Sequence, residues 1–355
     1  MTESFPDFQS HKDEIIHSLL NRSYEVEVEG SLPPSASPQA LQMALVSEED
    51  KLILMHRDAH FGANFDIMIA EYLDEKRGAV LDVEVSQIKA LQKKQQELQS
   101  DIAPLLLTGA EAERVMQAKK MYRDLRALSE SATQDAPKEK KKPVSSLIAE
   151  LILSDDDTSC LLEEIIACKG DLQQELEVAL IELLESDLFK DPLFPGYGLA
   201  PKEAAYALGR LQSKKSIPYL FRTLCQEGYD YEEVITSALH AIGDDAKEFL
   251  KRQFQQKPMT KITELALVCL LSFATDADVS EFLLEHLEQK DYQKQSFSPY
   301  LVLGLESLPP HLQKRAEALK NDVHFPQNLQ QELQFVLKCW EKNNRLYSIR
   351  FSTLK

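Results

Sequence analysis

The sequence predicts a mainly α-helical protein whose C-terminal half is a solenoid of stacked helix pairs. Leu, Ala, Glu, Gln and Lys, all good helix formers, dominate the chain, whereas 11 glycines and one tryptophan leave little material for an all-β fold. Leucines recur at nearly regular intervals, and a second apolar residue follows each of them by one helical turn. The two series are Leu208, Leu239, Leu270, Leu305 and Leu211, Ile242, Phe273, Leu308. A spacing of about one helix pair is typical of repeats that bury their apolar faces only by stacking on each other.

The composition bounds the size and the class of the protein. A chain of 355 residues with 43% hydrophobic and 28% charged residues is globular and long enough for two structural units. The formal net charge is -18 at pH 7, so a phosphate backbone is repelled on average, and nucleic acid is not an expected partner.

The cysteines and the lack of a leader pattern indicate a compartment. The cysteines are odd in number and lack the close spacing that structural zinc or a disulfide framework needs, so we interpret them as reduced core thiols. They are Cys160, Cys168, Cys225, Cys269 and Cys339. No basic start precedes an apolar core, and no stretch holds about 18 uncharged apolar residues. We expect a cytoplasmic protein without membrane insertion, although export by a route that ignores such signals stays open.

A change of composition divides the chain. Residues 129–143, SESATQDAPKEKKKP, replace apolar periodicity with Ser, Pro and a lysine cluster. We interpret them as a flexible linker between a mostly helical N-terminal domain of residues 1–128 and a solenoid of residues 144–355. The lysine cluster could contact an acidic surface, but a solvated tether is the favoured interpretation.

Two apolar seams before the linker predict an antiparallel helical hairpin over residues 83–128. The first seam, from Ile88 to Leu105, follows a heptad pattern and indicates a helix over 83–107. Thr108 and Glu111 have capping-box spacing, and a second seam follows. The short turn favours an internal packing arm. A coiled coil between two copies, and hence a homodimer through the N-terminal helices, stays open.

The first 80 residues carry weaker patterns. Apolar and acidic residues alternate from Tyr24 to Glu29, which is typical of one short strand that Gly30 would end. The following segments are compatible with helices, and Asn64 is placed to cap one of them. We therefore expect at most a minor β element in this region.

A loop precedes the clear repeats. Residues 144–184 read as three amphipathic helices, and LFKDPLFPGYGLAP at 188–201 then interrupts the helical rhythm with Pro and Gly. Its aromatic residues include Phe194 and Tyr197. They either seal the first repeat, which is the favoured interpretation, or offer an exposed anchor to a partner.

The repeats resemble the HEAT-repeat superfamily, particularly short bacterial units similar to those of phycobilisome-lyase-like proteins. The resemblance rests on AAYALGRLQSKKSIPYL and ITSALHAIGDDAKEFL and covers about residues 201–320. It implies a right-handed stack whose second helices line a concave surface that holds other proteins. The fourth unit departs from the pattern, because Leu308, Pro309 and Pro310 replace the usual turn.

The apolar stripe of each second helix assigns its opposite face to solvent. The candidate protein-binding residues on these faces are Tyr219, Arg222, Lys251, Arg252 and Leu284. Tyr, Arg and an exposed Leu are reasonable anchors for a partner, although isolated exposed residues are also ordinary surface. With Phe194 and Tyr197 from the loop, they complete the candidate set.

The search for catalytic chemistry finds no convincing centre. His56, Asp58 and His60 have the residue types of a metal site, but no glutamate follows the first histidine as a zincin needs, and a solvated or capping cluster is favoured. Motifs for phosphate binding or an activated serine are missing as well. We expect no metal and no cofactor.

Three functions are compared on these grounds. A non-enzymatic scaffold that binds a protein or peptide is favoured. The alternative is a chromophore-lyase-like enzyme or the regulatory subunit of an enzyme, because similar repeats can hold a prosthetic group. A solenoid that repairs DNA would need a basic concave face, which Lys251 and Arg252 alone do not provide.

Overall fold

The computed structural model describes residues 47–74, 83–134, 142–154, 159–226, 231–305 and 308–341. Within these ranges the protein has 18 α-helices, two short 3-10 helices and no strand, so the predicted mainly α class is confirmed. The strand expected near Tyr24 lies outside the described residues. Contacts between Cα atoms divide the chain into two compact units, which end and begin at Ala204 and Ala205.

The first unit contains helices α1 to α8 and the start of α9. Their bounds are α1 Glu48–His60, α2 Phe65–Leu73, α3 Val85–Leu98, α4 Ala103–Leu106, α5 Gly109–Gln134, α6 Val144–Leu153, α7 Ser159–Ile166, α8 Asp171–Glu185 and α9 Ala200–Arg210. The three helices expected over 144–184 are therefore present as α6, α7 and α8. A 3-10 turn at Leu188–Lys190 opens the segment between α8 and α9.

Polar caps fix where the first helices begin. The Ser47 hydroxyl accepts a hydrogen bond from the backbone N–H of Asp50 at 3.1 Å, and the Asp50 carboxylate accepts one from the N–H of Ser47 at 3.3 Å. Asn64 accepts from the backbone of Asp66 at 2.8 Å, so its predicted capping role is confirmed. These side chains satisfy N–H groups that have no partner inside the helix.

The two apolar seams predicted within residues 83–128 pack mainly against other helices and not against each other. Helix α3 ends at Leu98 because Gln99 adopts a left-handed backbone with φ 54°, and the short α4 follows after Ile102. Helix α3 packs against α1 and α2, whereas α5 packs against α1 and α6. The predicted helix over 83–107 is thus two helices, and other helices cover the apolar residues expected to face each other.

Helix α5 continues through the start of the predicted linker. It is helical to Gln134, residues 135–141 lie outside the described ranges, and α6 packs extensively on α5. Helices α6 to α8 therefore belong to the compact unit that contains α5. The sequence grouped them with the repeats instead, because the pattern of an amphipathic helix does not reveal which neighbour covers its apolar face.

A fully buried arginine lies in the core of the first unit. The Arg57 side chain has no exposed surface, and its guanidinium donates to Asp58 at 2.7 Å, to Gln95 at 2.7 Å and to Asp101 at 2.8 Å. It also lies 4.6 Å from the centroid of the Phe65 ring. These contacts join α1 to α2, to α3 and to the turn before α4.

The second unit continues α9 and adds nine helices within the described residues. Their bounds are α10 Ile217–Leu224, α11 Glu232–Ile242, α12 Asp244–Phe254, α13 Lys261–Leu271, α14 Ala277–Leu287, α15 Lys290–Gln293, α16 Ser298–Leu303, α17 Pro310–Lys320 and α18 Gln327–Glu341. The terminal helix expected near Leu329 to Trp340 is present as α18. All four repeat leucines have 0% exposed surface.

The first helices of successive predicted repeats lie next to each other. Helix α11 packs on α13, α13 on α16, and α16 on α18. Helix α9 approaches α11 at Gly209, where a methyl group would lie 2.6 Å from the Cα of Ala238. Only a residue without Cβ allows this approach.

The second helices of successive repeats also contact one another. The rings of Phe221 in α10 and Phe249 in α12 meet edge to face at 5.6 Å between centroids. Phe254 in α12 and Phe282 in α14 repeat the contact at 5.8 Å. Aromatic pairs at this separation are attractive beyond the area that they bury.

We predict that Gly209→Ala destabilises the second unit by about 2 kcal/mol, because the added methyl group must push α9 away from α11. Urea unfolding followed by the fluorescence of Trp340, the chain's one tryptophan, measures the change in the second unit.

The matched control is Gly109→Ala, where nothing lies within 4 Å of the added methyl group. This variant should lose no helical signal and no thermal stability, since Ala is the better helix former. Equal transitions for Gly209→Ala and the wild type would show that α9 and α11 are not in close contact.

Candidate functional site

Tyr219, Arg222 and Arg252, three of the predicted binding residues, lie at the surface of the second unit. The first two are neighbours on α10, and the third is on α12. Arg222 is exposed on α10, and its guanidinium lies 4.9 Å from the centroid of the half-buried Tyr219 ring. Arg252 is exposed on α12. We call Tyr219, Arg222, Lys251 and Arg252 the second-helix ridge.

Lys251 stabilises the packing of α12 against α14 beneath the second-helix ridge. Its ammonium group donates to Glu248 at 3.0 Å and to Asp278 of α14 at 2.8 Å, and it lies 5.6 Å from the Phe282 ring. Burial lowers the pKa of Lys251, but the hydrogen bonds to the two carboxylates outweigh burial and raise the pKa overall. Lys251 therefore joins α12 to α14.

Lys247 reinforces the same junction and was missed in the sequence. Only 9% of its side chain is exposed, and its ammonium group lies 2.8 Å from Asp244, 2.9 Å from Asp276 and 3.5 Å from Asp278. Burial lowers the pKa of Lys247, but these carboxylates raise it well above its ordinary value. The acidic residues at the starts of α12 and α14 were visible in the sequence, yet no local pattern pairs those of α14 with a lysine of α12.

Leu284 is fully buried, so the prediction that it faces solvent is wrong. The apolar residues of α14 occupy two sides of the helix, since α14 packs on α16 as well as beside α12. The buried set is Val279, Leu283, Leu284 and Leu287. A single stripe per helix was too narrow an assumption for a helix with neighbours on two sides.

The loop before α9 is packed onto the first unit. Phe194 is 4% exposed and lies among the buried residues Phe189 and Leu193, so it is not an exposed anchor. Tyr197 is half-buried and has φ 52°, between Gly196 at φ 84° and Gly198 at φ 77°. The favoured interpretation of Phe194 as a packing residue agrees with this burial.

His60 connects three parts of the first unit. The carbonyl oxygen of Pro192 can only accept, so Nε2 of His60 donates to it at 3.0 Å, and Nδ1 accepts from the Tyr122 hydroxyl at 2.7 Å. Burial, together with the nearby His56, lowers the pKa of His60 to about 3. The imidazole is therefore a neutral connection between α1, α5 and the loop.

The sequence cluster of His56, Asp58 and His60 is not arranged as a metal site. Asp58 accepts from Arg57, and both ring nitrogens of His60 have protein partners. No three potential metal-ligating side chains of His, Cys, Asp or Glu group together in the described ranges. This arrangement is that of a packed polar cluster.

A cavity of about 780 Å³ lies next to this cluster in the first unit. The end of α1, one side of α5, the end of α6 and the loop around Tyr197 form its walls. Four of its lining residues are cations on α5: Lys119, Lys120, Arg123 and Arg126. The sequence did not indicate this cavity, because its walls come from four separate segments.

No protein-family model, curated protein or solved structure matches the chain. None of the described helices combines the length and the apolar character needed to cross a lipid bilayer. The geometry of the second-helix ridge and of the cavity therefore carries the functional proposals by itself.

We predict that the first unit loses stability in acid through His60. The folded pKa of about 3 is below the ordinary value of 6.5, so the unfolded chain binds the proton more readily. The contribution of His60 is complete above pH 6.5 and declines as the pH falls toward 3. When the pH falls from 7 to 5, the unfolding free energy of the wild type should therefore decrease by about 2 kcal/mol more than that of His60→Gln.

Urea unfolding of the wild type, His60→Gln and the surface control His311→Gln at both pH values measures this difference. The control should keep the full pH dependence of the wild type, since His311 is exposed. An undiminished pH dependence in His60→Gln would rule out His60 as the titrating group.

We also predict that replacing two ion-paired lysines, Lys247 and Lys214, changes the stability of the protein to different extents. Lys247→Met should cost about 1 to 2 kcal/mol because it leaves several carboxylates without their shared cation. Lys214→Met should change stability by less than about 0.5 kcal/mol, because the Lys214–Asp245 pair is largely exposed.

Thermal unfolding in low and high salt separates the two variants, and the cost of Lys247→Met should decrease as salt screens the carboxylates. Equal costs for both lysines would mean that the ion pairs of Lys247 do not contribute to the junction between α12 and α14.

Proposed function

We propose that the chain is a non-enzymatic scaffold that binds a protein or peptide, and that residues 205–341 form a HEAT-like α-solenoid. Two series of contacts support the solenoid: first helices pack on first helices, and second helices pack on second helices. The burial of the repeat leucines supports it as well, because units that stack hide these positions.

The pair of half-buried Tyr219 and exposed Arg222 carries the proposed binding role. Tyrosine and arginine are over-represented among the residues that dominate binding energy at protein interfaces. The Arg222 guanidinium already lies over the Tyr219 ring, so both side chains lose less conformational freedom when a partner docks. Arg252, one repeat farther on, extends the same surface.

The ion pairs beneath the ridge support a preorganised surface. Lys247 and Lys251 join α12 to α14 through shared carboxylates, chiefly Asp278. A rigid arrangement of successive second helices reduces the ordering that binding requires. We therefore assign contact with the partner to Tyr219, Arg222 and Arg252, and a supporting role to Lys251.

The proposal includes the cellular compartment of the protein. The five cysteines are all free thiols, which supports a reducing compartment such as the cytoplasm. The N-terminal helices would add a second contact or join two copies. Tyr197 is excluded from the protein-binding set because it lines the cavity of the first unit.

A photo-crosslinking amino acid in place of Tyr219 tests the proposed surface directly. The matched control carries the same group in place of Tyr300, which is 38% exposed on α16, a first helix of the same unit. In native cell extract, we expect a defined protein to be captured at position 219 but not at position 300. Adding Arg222→Glu and Arg252→Glu to the first variant should reduce this capture by about tenfold or more.

Two outcomes would contradict the proposal. Capture of the same proteins at both positions would indicate nonspecific contact. Capture at position 219 that is insensitive to charge reversal of Arg222 and Arg252 would show that these arginines are not part of the binding surface, provided that circular dichroism shows both variants folded.

A further inference from the structure

The cavity of the first unit has the dimensions of a small-molecule site. Its volume of about 780 Å³ is within the range in which proteins bind small organic ligands. Its walls come from three helices and a loop, and the His60 hydrogen bonds to Tyr122 and Pro192 connect α1, α5 and that loop. These hydrogen bonds hold three of the described wall segments together.

Helix α5 concentrates positive charge on one wall of the cavity. Lys119, Arg123 and Arg126 follow one helical face, Lys120 lies beside them, and we call these four residues the α5 cations. The chain as a whole carries a net charge of -18, so the α5 cations are opposite in sign to its overall charge. Positive charge inside a cleft attracts anions more strongly than the same charge on a flat surface.

Among the described residues, carboxylates compensate the charge of Lys119, Arg123 and Arg126 only in part, through the interaction of Lys119 with Asp58. No described carboxylate forms an ion pair with Lys119, Arg123 or Arg126. Asp58, the carboxylate among the described lining residues, already accepts a hydrogen bond from Arg57 at 2.7 Å.

Helix ends account for only part of the charge. The C-terminal ends of α1 and α6 reach the cavity, and each helix end carries about half a negative charge. Lys119, Arg123 and Arg126 therefore leave an excess of positive charge at the cavity. A solvated helix face does not explain why this excess converges on a cavity.

Tyr197 adds an aromatic surface to the lining of the cavity. It adopts a left-handed backbone, which is costly for a residue with a side chain, and both of its neighbours are glycines with positive φ. A methyl group on Gly198 would lie 2.7 Å from the Lys190 carbonyl oxygen, so the chain folds too tightly there for other residues. The Tyr197 and His60 rings are 4.3 Å apart between centroids, which holds the tyrosine ring at the cavity.

We infer that this cavity binds a small organic phosphate, with its phosphate groups against the α5 cations and its ring or apolar part against Tyr197. Arg123 and Arg126 offer planar donor pairs that match phosphate oxygens, and the lysines add compact charges. The apolar side chains of Met116, Ile152 and Leu153 complete the wall. His60 is neutral and fully hydrogen bonded, so it shapes the cavity and does not supply charge.

Calorimetric titration of the full-length protein with ADP, pyrophosphate and adenosine tests this inference at about 0.15 M salt. We expect saturable ADP binding with a dissociation constant below about 100 µM and binding at least about tenfold weaker for adenosine, which lacks the phosphates. Pyrophosphate, which lacks the ring, should bind more weakly than ADP. Higher salt should weaken ADP binding because the contact is ionic.

Two variants separate the charge from the aromatic surface. Arg123→Gln should weaken both ADP and pyrophosphate by about tenfold, whereas Lys89→Gln, which removes one charge from an exposed position on α3 outside the cavity, should weaken neither. Tyr197→Gly suits the left-handed backbone and removes the ring, so it should weaken ADP and leave pyrophosphate unchanged.

Three results would overturn the inference. The first is the absence of saturable ADP binding below about 1 mM in the folded wild type. The second is ADP binding that Arg123→Gln and Lys89→Gln change equally. The third is binding that occurs only after Asp155, Asp156 and Asp157 are replaced by Asn. This acidic run follows Ser154 in the sequence and lies outside the described residues, and such a result would make the chain itself the occupant.

Discussion

The geometry of the first unit depends on the burial of one charge, that of Arg57. Transferring a guanidinium from water into a protein core costs several kcal/mol unless hydrogen bonds and opposite charge compensate for it. Here Asp58, Asp101 and Gln95 receive its N–H groups, and the face of the Phe65 ring covers it. The compensation requires α1, α3 and the turn before α4 to occupy fixed positions. Breaking the contact with Gln95, for example, would leave a buried N–H donor of Arg57 without its partner.

The same constraint positions the polar cluster and the cavity. Arg57 orients the neighbouring Asp58 in the last turn of α1, and His60 follows two residues later, where it contacts Tyr122 of α5 and the Pro192 carbonyl. The Tyr197 ring lies against His60, so the strained loop also depends on this turn. Residues that resemble a metal site in sequence thus serve to bring α1, α5 and the loop together around a cavity.

Local patterns in the sequence were sufficient for the helices and for the repeat positions. The period of Leu208, Leu239 and Leu270 reports burial directly, because these residues face neighbouring helices wherever repeats stack. Asn64 was recognisable as a cap because its partners are two and three residues away.

The features that were missed depend on distant partners. Leu284 is buried by a second neighbouring helix. The break after α3 requires a left-handed backbone at Gln99, and the sequence has no Gly or Asn there to indicate it. The Lys247 network joins α12 to the start of α14, and the cavity joins four segments. Neither has a signature within one helix. Both depend on the tertiary structure, because charged side chains interact according to their distance in space and not their separation in the sequence.

The cations at the α12–α14 junction and those at the cavity of the first unit have different surroundings, and this difference separates their proposed roles. In the second unit, Lys247 and Lys251 are taken up by Asp276 and Asp278, so their charge contributes to packing and little remains for a ligand. In the first unit, Arg123 and Arg126 face a cavity without a described carboxylate partner, so their charge is available to an anion. Arg222 is a third case, since it is exposed at the surface and its guanidinium lies over an aromatic ring. Whether a cation in this acidic chain packs or binds is therefore decided by the partner within reach of its charge, and not by the number of basic residues on its helix.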